Sequence, residues 1–266
     1  MNFSAIIALF AAVFLILASH RADGASMVSL LQPSAVMIVL GGTFCAAVVN
    51  FKLSTLITAL KSALDVFFDK QSSQIKVIDE IIYLAHQARV KGLFSLNTIV
   101  DEIQDPFLKR GVQLSIDFNN PQMIYDILKA EISYDEEEEL INSRVFEALG
   151  GYAPTFGIVG AVFGLIQIMG YIQQPDVLAQ GIAVAFVSTL YGVGFANLLF
   201  LPIAGKLKMN TRERILLKEV ILQGIVSIQM EESPMVIEEK LVAYLKYHNR
   251  SHAIENKRQS EGYGIR

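Results

Sequence analysis

The chain has 266 residues, 53% of them apolar and only 18% charged, with a formal net charge of −4. Soluble domains hold about 45–50% apolar and about 25% charged residues, so this balance excludes both an ordinary soluble enzyme and a disordered chain. An acidic balance gives a nucleic acid no basic surface, and one cysteine (Cys45) with four scattered histidines excludes a disulfide framework and a cysteine–histidine metal centre.

The apolar residues come in blocks. Residues 1–19, 25–51, 148–175 and 177–205 contain no Asp, Glu, Lys, Arg or His. Each block reaches the roughly 20 residues that a helix needs to cross a bilayer. Hydrocarbon offers the backbone no partner, so the blocks are expected to be helices. The first block has a rival reading as a cleaved signal peptide, with Ala22–Ser26 as the cleavage site. The length of the block and the absence of a preceding Lys or Arg disfavour it.

Lys and Arg set the expected orientation. Ten lie between residues 52 and 144 and eleven follow residue 205, against Arg21 alone between the first two blocks. Positive charge stays inside, which predicts cytoplasmic termini and a cytoplasmic second connection in a multi-pass membrane protein. The expected organisation is two transmembrane helices in 1–51, a helical cytoplasmic loop domain in 52–144, two more transmembrane helices in 145–205 and a helical cytoplasmic tail in 206–266. The fold class is all-α. Leu53, Leu56, Ile57, Leu60, Leu64 and Phe67 follow the helical period, as do Ile75, Ile78, Ile81, Ile82 and Ala85. Asn120-Pro121 and Ser233-Pro234 each place a capping side chain before a proline at the first helical position, which opens a helix.

The last two blocks carry the most structural information. Ala153, Gly157 and Ala161 recur at four-residue spacing, Gly160 and Gly164 form a second small pair, and Ser188, Gly192 and Ala196 repeat the pattern. Small residues so spaced let helix backbones approach closely in lipid. Pro154 and Pro202 each remove a backbone donor, which makes a static kink or a hinge. Thr155, Gln167, Ser188, Thr189 and Asn197 are the polar residues in these spans, read either as interhelical glue or as a polar path. No span has an ionisable residue at its core, although proton relays and coupled transporters usually need one. A partner must therefore bring any titrating group. Phosphate-loop, nucleophile-elbow and zinc-protease motifs are all absent, so the chain is not expected to be an enzyme and needs no cofactor or metal. The acidic run Asp135–Glu139 reads as a solvated face.

At this point a resemblance is clear. Residues 153–166 (APTFGIVGAVFGLI), 181–208 (GIAVAFVSTLYGVGFANLLFLPIAGKLK), 88–97 (ARVKGLFSLN) and 105–111 (DPFLKRG) closely resemble the flagellar motor stator A subunit, the MotA/PomA type, within the MotA/TolQ/ExbB proton channel superfamily. The resemblance extends over nearly the whole chain up to Tyr247. It implies a homopentamer around a dimer of the stator B subunit (MotB/PomB type), which carries a transmembrane aspartate. Ion flow past that aspartate drives rotation, and the cytoplasmic loop acts on the rotor protein FliG. Pro154 matches the family proline near the aspartate, Pro202 the proline at the inner end of the fourth span, and Thr189 the threonine facing the ion route. Thr155 lies beside Pro154 on the same path.

Ala161 falls where sodium-driven members carry threonine and proton-driven members alanine. A methyl offers a sodium ion no oxygen, so the transported ion is expected to be H+. Arg89 matches the loop arginine that meets the rotor, with Lys91 close by. The family glutamate eight residues on is Asn97 here, and Asp101 or Glu102 is the candidate substitute. The alternatives are an ExbB/TolQ-like energiser of outer-membrane transport, disfavoured by four spans with the N-terminus inside, and an autonomous channel, disfavoured by the missing titratable groups.

Overall fold

Long apolar runs satisfy their backbone along their own axis, and every regular element among the described residues is a helix or a helical turn. The structure, a computed structural model, describes residues 3–22, 30–68, 74–171, 173 and 175–244. Two units emerge, Met1–Asp69 with Glu138–Asn210 and Lys70–Glu137 with Thr211–Arg266.

The first unit contains α1 (Phe3–Ala22), α2 (Pro33–Val36), a π-helical stretch (Met37–Gly41), α3 (Gly42–Asn50) and α4 (Leu53–Phe68). It also takes the later part of α7 (Pro121–Met169), α8 (Pro175–Phe195), a second π-helical stretch (Ala196–Phe200) and the start of α9 (Leu201–Gln229). Among the described residues, three helices are long and apolar enough to cross a membrane: Pro33–Asn50, Pro121–Met169 and Leu178–Gln229. The apolar stretches Phe10–Ala22 and Leu53–Leu64 are shorter, so three of the four expected spans qualify by this measure.

The second π-helical stretch has a physical cause. Pro202 has no N–H to give the carbonyl four residues back. The helix widens just before it, and Leu201 N–H bonds the Ala196 carbonyl, five residues back.

The core of the first unit joins Ala47, Leu56, Ala59 and Ala63 to Phe146, Leu149, Ala153, Phe200 and Leu207. The buried Ser143 hydroxyl donates to the Ala204 carbonyl at 3.0 Å and ties α7 to α9. In α4 the small face packs inward. Of the residues that carry the helical period in the sequence, Leu56 is buried, whereas Leu53, Ile57, Leu60 and Leu64 are exposed. The periodicity identifies the helix correctly, but the face that packs is Leu56, Ala59 and Ala63.

The second unit contains α5 (Gln74–Lys91), two 3₁₀ turns (Leu93–Thr98 and Val100–Glu102), α6 (Pro106–Asp117), the first part of α7, the later part of α9 and α10 (Pro234–Val242). Ile81, Leu84, Leu96, Leu108, Ile124, Leu128, Ile221, Ile225 and Ile237 are fully buried in its core. Lys129 pairs with Glu219 at 3.0 Å, and Lys218 pairs with Asp135 and lies over the Phe107 ring. The changeovers between units fall at 137/138 and 210/211, inside α7 and α9. The sequence reading places its divisions at 144/145 and 205/206, but neither helix breaks there.

Three helices open on the same device. The Asp105 carboxylate accepts from Phe107 N–H and Leu108 N–H, both at 2.9 Å, and Pro106 fills the first helical position. The Asn120 side chain serves Gln122 and Met123 N–H in the same way, and Ser233 serves Val236 N–H. Replacing a capping side chain by alanine costs about 1 kcal/mol. Asp105→Ala should therefore speed hydrogen exchange at the amides of Phe107 and Leu108 by about fivefold if local opening governs exchange.

Candidate functional site

The site is the crossing of α7 and α8, built by glycine. A Cβ placed on Gly157 would lie 3.0 Å from the Ser188 carbonyl oxygen and 3.2 Å from the Gly192 Cα. One on Gly164 would lie 2.7 Å from the Gly181 carbonyl oxygen, and one on Gly160 would lie 2.6 Å from the Ser188 hydroxyl. One on Gly192 would lie 2.6 Å from the Ala153 carbonyl oxygen and 3.2 Å from the Pro154 Cα. Real Cβ atoms do not come this close to backbone at Gly164 and Gly192, so only hydrogen fits there; Gly157 is at the tight limit, and Gly160 faces the Ser188 side chain. The partners run 153 to 192, 157 to 188 and 164 to 181, which is an antiparallel register with the two backbones in contact.

Gly157, Gly160, Gly164, Ser188 and Gly192 from the sequence stripes all fall on this seam. Ala196 is buried in the hydrophobic core beside it and Ala161 is half-buried. Gly181 and Ala185 also belong to the seam, and the sequence reading missed them. The strict four-residue spacing carried back from Ser188 leads to Val184 and Gln180, so it passes them by; a step of three and then of four reaches Ala185 and Gly181.

Pro154 and Thr189 flank the crossing. The Thr189 hydroxyl donates to the Ala185 carbonyl at 3.2 Å, and the Thr155 hydroxyl to the Gly151 carbonyl at 3.3 Å. Both threonines are exposed. Each therefore rests on its own helix with a second acceptor position open. Ser188 differs: it is fully buried, and its hydroxyl has no partner among the described residues. Pro202 lies ten residues beyond Gly192, about 15 Å along the helix, so the crossing does not include it. The seam carries no Asp, Glu, Lys, Arg or His from Gly150 to Met169 or from Leu178 to Gly205. It can place hydroxyls, carbonyls and small residues against a neighbouring surface but cannot itself hold or release a proton.

The remaining candidates lie in the second unit. Arg89 and Lys91 close α5, Asp101 and Glu102 lie on the second 3₁₀ turn, and all four are exposed. Lys109 Nζ meets Asp101 Oδ1 at 2.8 Å. That hydrogen bond, and then the lysine charge, hold the Asp101 carboxyl below the usual carboxylate range. Asp101 is thus already engaged, whereas Asn97 on the first turn is exposed and neutral.

Comparison with known proteins settles the family. A model of the MotA/TolQ/ExbB proton channel family matches residues 99–220. The motility protein A of Bacillus subtilis is 34% identical over 231 residues, covering 85% of this chain and 84% of that protein. The chain belongs to the MotA/TolQ/ExbB proton channel family. Within that family its relatives include motility and chemotaxis proteins. The motility protein A of Helicobacter pylori strain 26695 is 31% identical over 92% of this chain and 95% of its own length. The chemotaxis protein PomA of Vibrio alginolyticus is 29% identical over 87% and 91%. The fold agrees: the C. jejuni MotAB structure superposes with a TM-score of 0.87, 28% identity and coverage of 93% of this chain and 97% of that one. The flagellar MotAB stator complex from Bacillus subtilis gives 0.84, 31%, 95% and 98%. The function is that of an ion-driven flagellar-motor stator subunit, as the resemblance at residues 153–166 and 181–208 implies.

Proposed function

We propose that this chain forms a pentameric ring around a dimer of a MotB/PomB-type B subunit and converts proton flow into rotation that drives the rotor protein FliG. The observation that carries the reading is the α7–α8 seam. Its backbones touch, it exposes the Thr155 and Thr189 hydroxyls beside Pro154, and it has no carboxylate, histidine, lysine or arginine of its own. Such a seam can line a path but needs a carboxylate from a partner helix. The solved relatives, the C. jejuni MotAB structure and the flagellar MotAB stator complex from Bacillus subtilis, support a partner of that kind. In the proposed topology four helices cross the bacterial inner membrane, both termini are cytoplasmic, and the unit holding Arg89, Lys91, Asp101 and Glu102 faces the rotor.

Ala161 presents only a methyl group, and a hard cation such as sodium takes oxygen ligands, so the proton is the favoured ion. Native mass spectrometry of the chain co-expressed with its B subunit should give a pentamer-to-dimer complex. A ring of this chain alone would sink the proposal. Swimming speed should be unchanged when potassium replaces sodium in the medium and should collapse on adding a protonophore. Loss of speed on sodium removal would reassign the ion.

A further inference from the structure

The turn that follows α5 leaves two large apolar side chains in solvent. Phe94 is 80% exposed and Val90 is 79% exposed, at either side of Gly92. The geometry that exposes them is fixed by the backbone. Gly92 has φ +85° and ψ 159°, a region essentially restricted to glycine. The 3₁₀ turn Leu93–Thr98 then repeats every three residues. Leu93, Leu96 and Ile99 share its inner face and pack into the core. Phe94 and Asn97 share an outer face, so the phenyl ring cannot turn inward without taking Leu96 out.

The turn itself is secured. The Ser95 hydroxyl donates to the Gly92 carbonyl at 2.7 Å and the Thr98 hydroxyl to the Ser95 carbonyl at 2.8 Å. Phe94 is thus displayed on an ordered platform. Its flanks are cationic: Arg89 and Lys91 are exposed at the end of α5, while the nearest carboxylate beyond Asn97, Asp101, is taken up by Lys109.

We infer that Phe94, supported by Val90, is the apolar anchor of the rotor contact in this chain, and that it inserts into an apolar pocket of the rotor protein rimmed by carboxylates that Arg89 and Lys91 meet. This inference rests on the stator reading and adds to it a specific partner chemistry. An interface anchored by one aromatic side chain and ringed by charge needs no acidic group at Asn97, because burial of the ring supplies the affinity and the cations supply orientation and encounter rate.

The test uses the intact complex with its B subunit in detergent and the purified rotor protein. Phe94→Ser should weaken rotor binding by about tenfold or more, the loss typical of an aromatic anchor, with B-subunit co-purification unchanged. Phe94→Leu should keep binding within about threefold, because the apolar payload is largely retained. Tyr134→Ser, which removes an aromatic side chain 70% exposed on α7, should change nothing. Parental binding by the Phe94→Ser complex would overturn the inference and leave the stator reading standing, which the stoichiometry of the complex tests separately. Equal loss in Phe94→Ser and Tyr134→Ser would overturn it too, since the effect would then not be local. Failure of the parental complex to bind the rotor protein at all would remove the rotor assignment together with the inference.

Discussion

Gly192→Ala is expected to prevent recovery of a folded complex, while Gly194→Ala two residues along is tolerated. The chemical change is identical, and in a helix interior it should favour alanine by about 0.5–1 kcal/mol at either position. Packing decides between them. A methyl at Gly192 would sit 2.6 Å from the Ala153 carbonyl oxygen and 3.0 Å from the Gly157 Cα, both fixed backbone of the facing helix. At Gly194 nothing lies within 4 Å. Relief at Gly192 requires the two helices to separate along the whole seam, which loosens Gly157, Gly160 and Gly164 together. Overpacking of this kind costs about 3 kcal/mol where neighbours cannot yield. The measurement is the yield and melting midpoint of the detergent-extracted complex for the two variants. Equal recovery of both would show that the seam does not hold the helices together.

That contrast also marks how far the sequence could be read. The four-residue spacing of Gly157, Ser188 and Gly192 states that two backbones approach closely, because small residues at that spacing have little other use in lipid. It cannot state which atoms meet. Both helices are apolar all round, so no polar face identifies the outward side, and Gly181 and Ala185 escape notice for the same reason. The capped starts at Asn120 and Ser233 are legible because a capping side chain followed by proline is a local signal that does not depend on tertiary contacts. Asp105-Pro106 carries that same signal and caps α6 in the same way.

What fails is what depends on neighbours. In α4 Leu53, Ile57, Leu60 and Leu64 stay exposed although they share the helical period with Leu56, which packs inward beside Ala59 and Ala63, since the small residues admit close approach and the exposed large ones remain free to meet lipid or another subunit. The run Asp135–Glu139 reads as a solvated face, but the sequence does not show that α7 passes through it unbroken from Pro121 to Met169, as a good helix former such as glutamate permits. The π-helical stretch before Pro202 is likewise invisible beforehand, because a proline announces a lost donor but not how the helix absorbs the loss. Phe94 is the opposite case. In sequence it is one more apolar residue in a loop, and only the 3₁₀ register, with Leu93 and Leu96 inside, shows that it points away from the core.

Pro154→Ala should abolish swimming while leaving the complex at least as stable as the parent. Pro154 lies inside α7, and having no N–H it leaves the Gly150 carbonyl without its donor four residues on. The helix nevertheless continues for fifteen residues beyond it, to Met169, so the fold does not need the proline. Alanine restores the donor, removes ring atoms rather than adding any, and relieves a helix-interior proline whose intrinsic cost is about 3 kcal/mol, part of which the surrounding structure has already absorbed. The melting midpoint of the purified complex should stay level or rise. Function should move the other way. The freed Gly150 carbonyl is a polar group in a wall that carries no Asp, Glu, Lys, Arg or His. Closing its hydrogen bond takes that group out of the path and stiffens the helix where a moving partner would pass. The paired measurement is swimming speed against thermal stability of the same variant. Parental swimming would reduce Pro154 to a static kink. Loss of both motility and stability would assign it to packing, alongside Gly192.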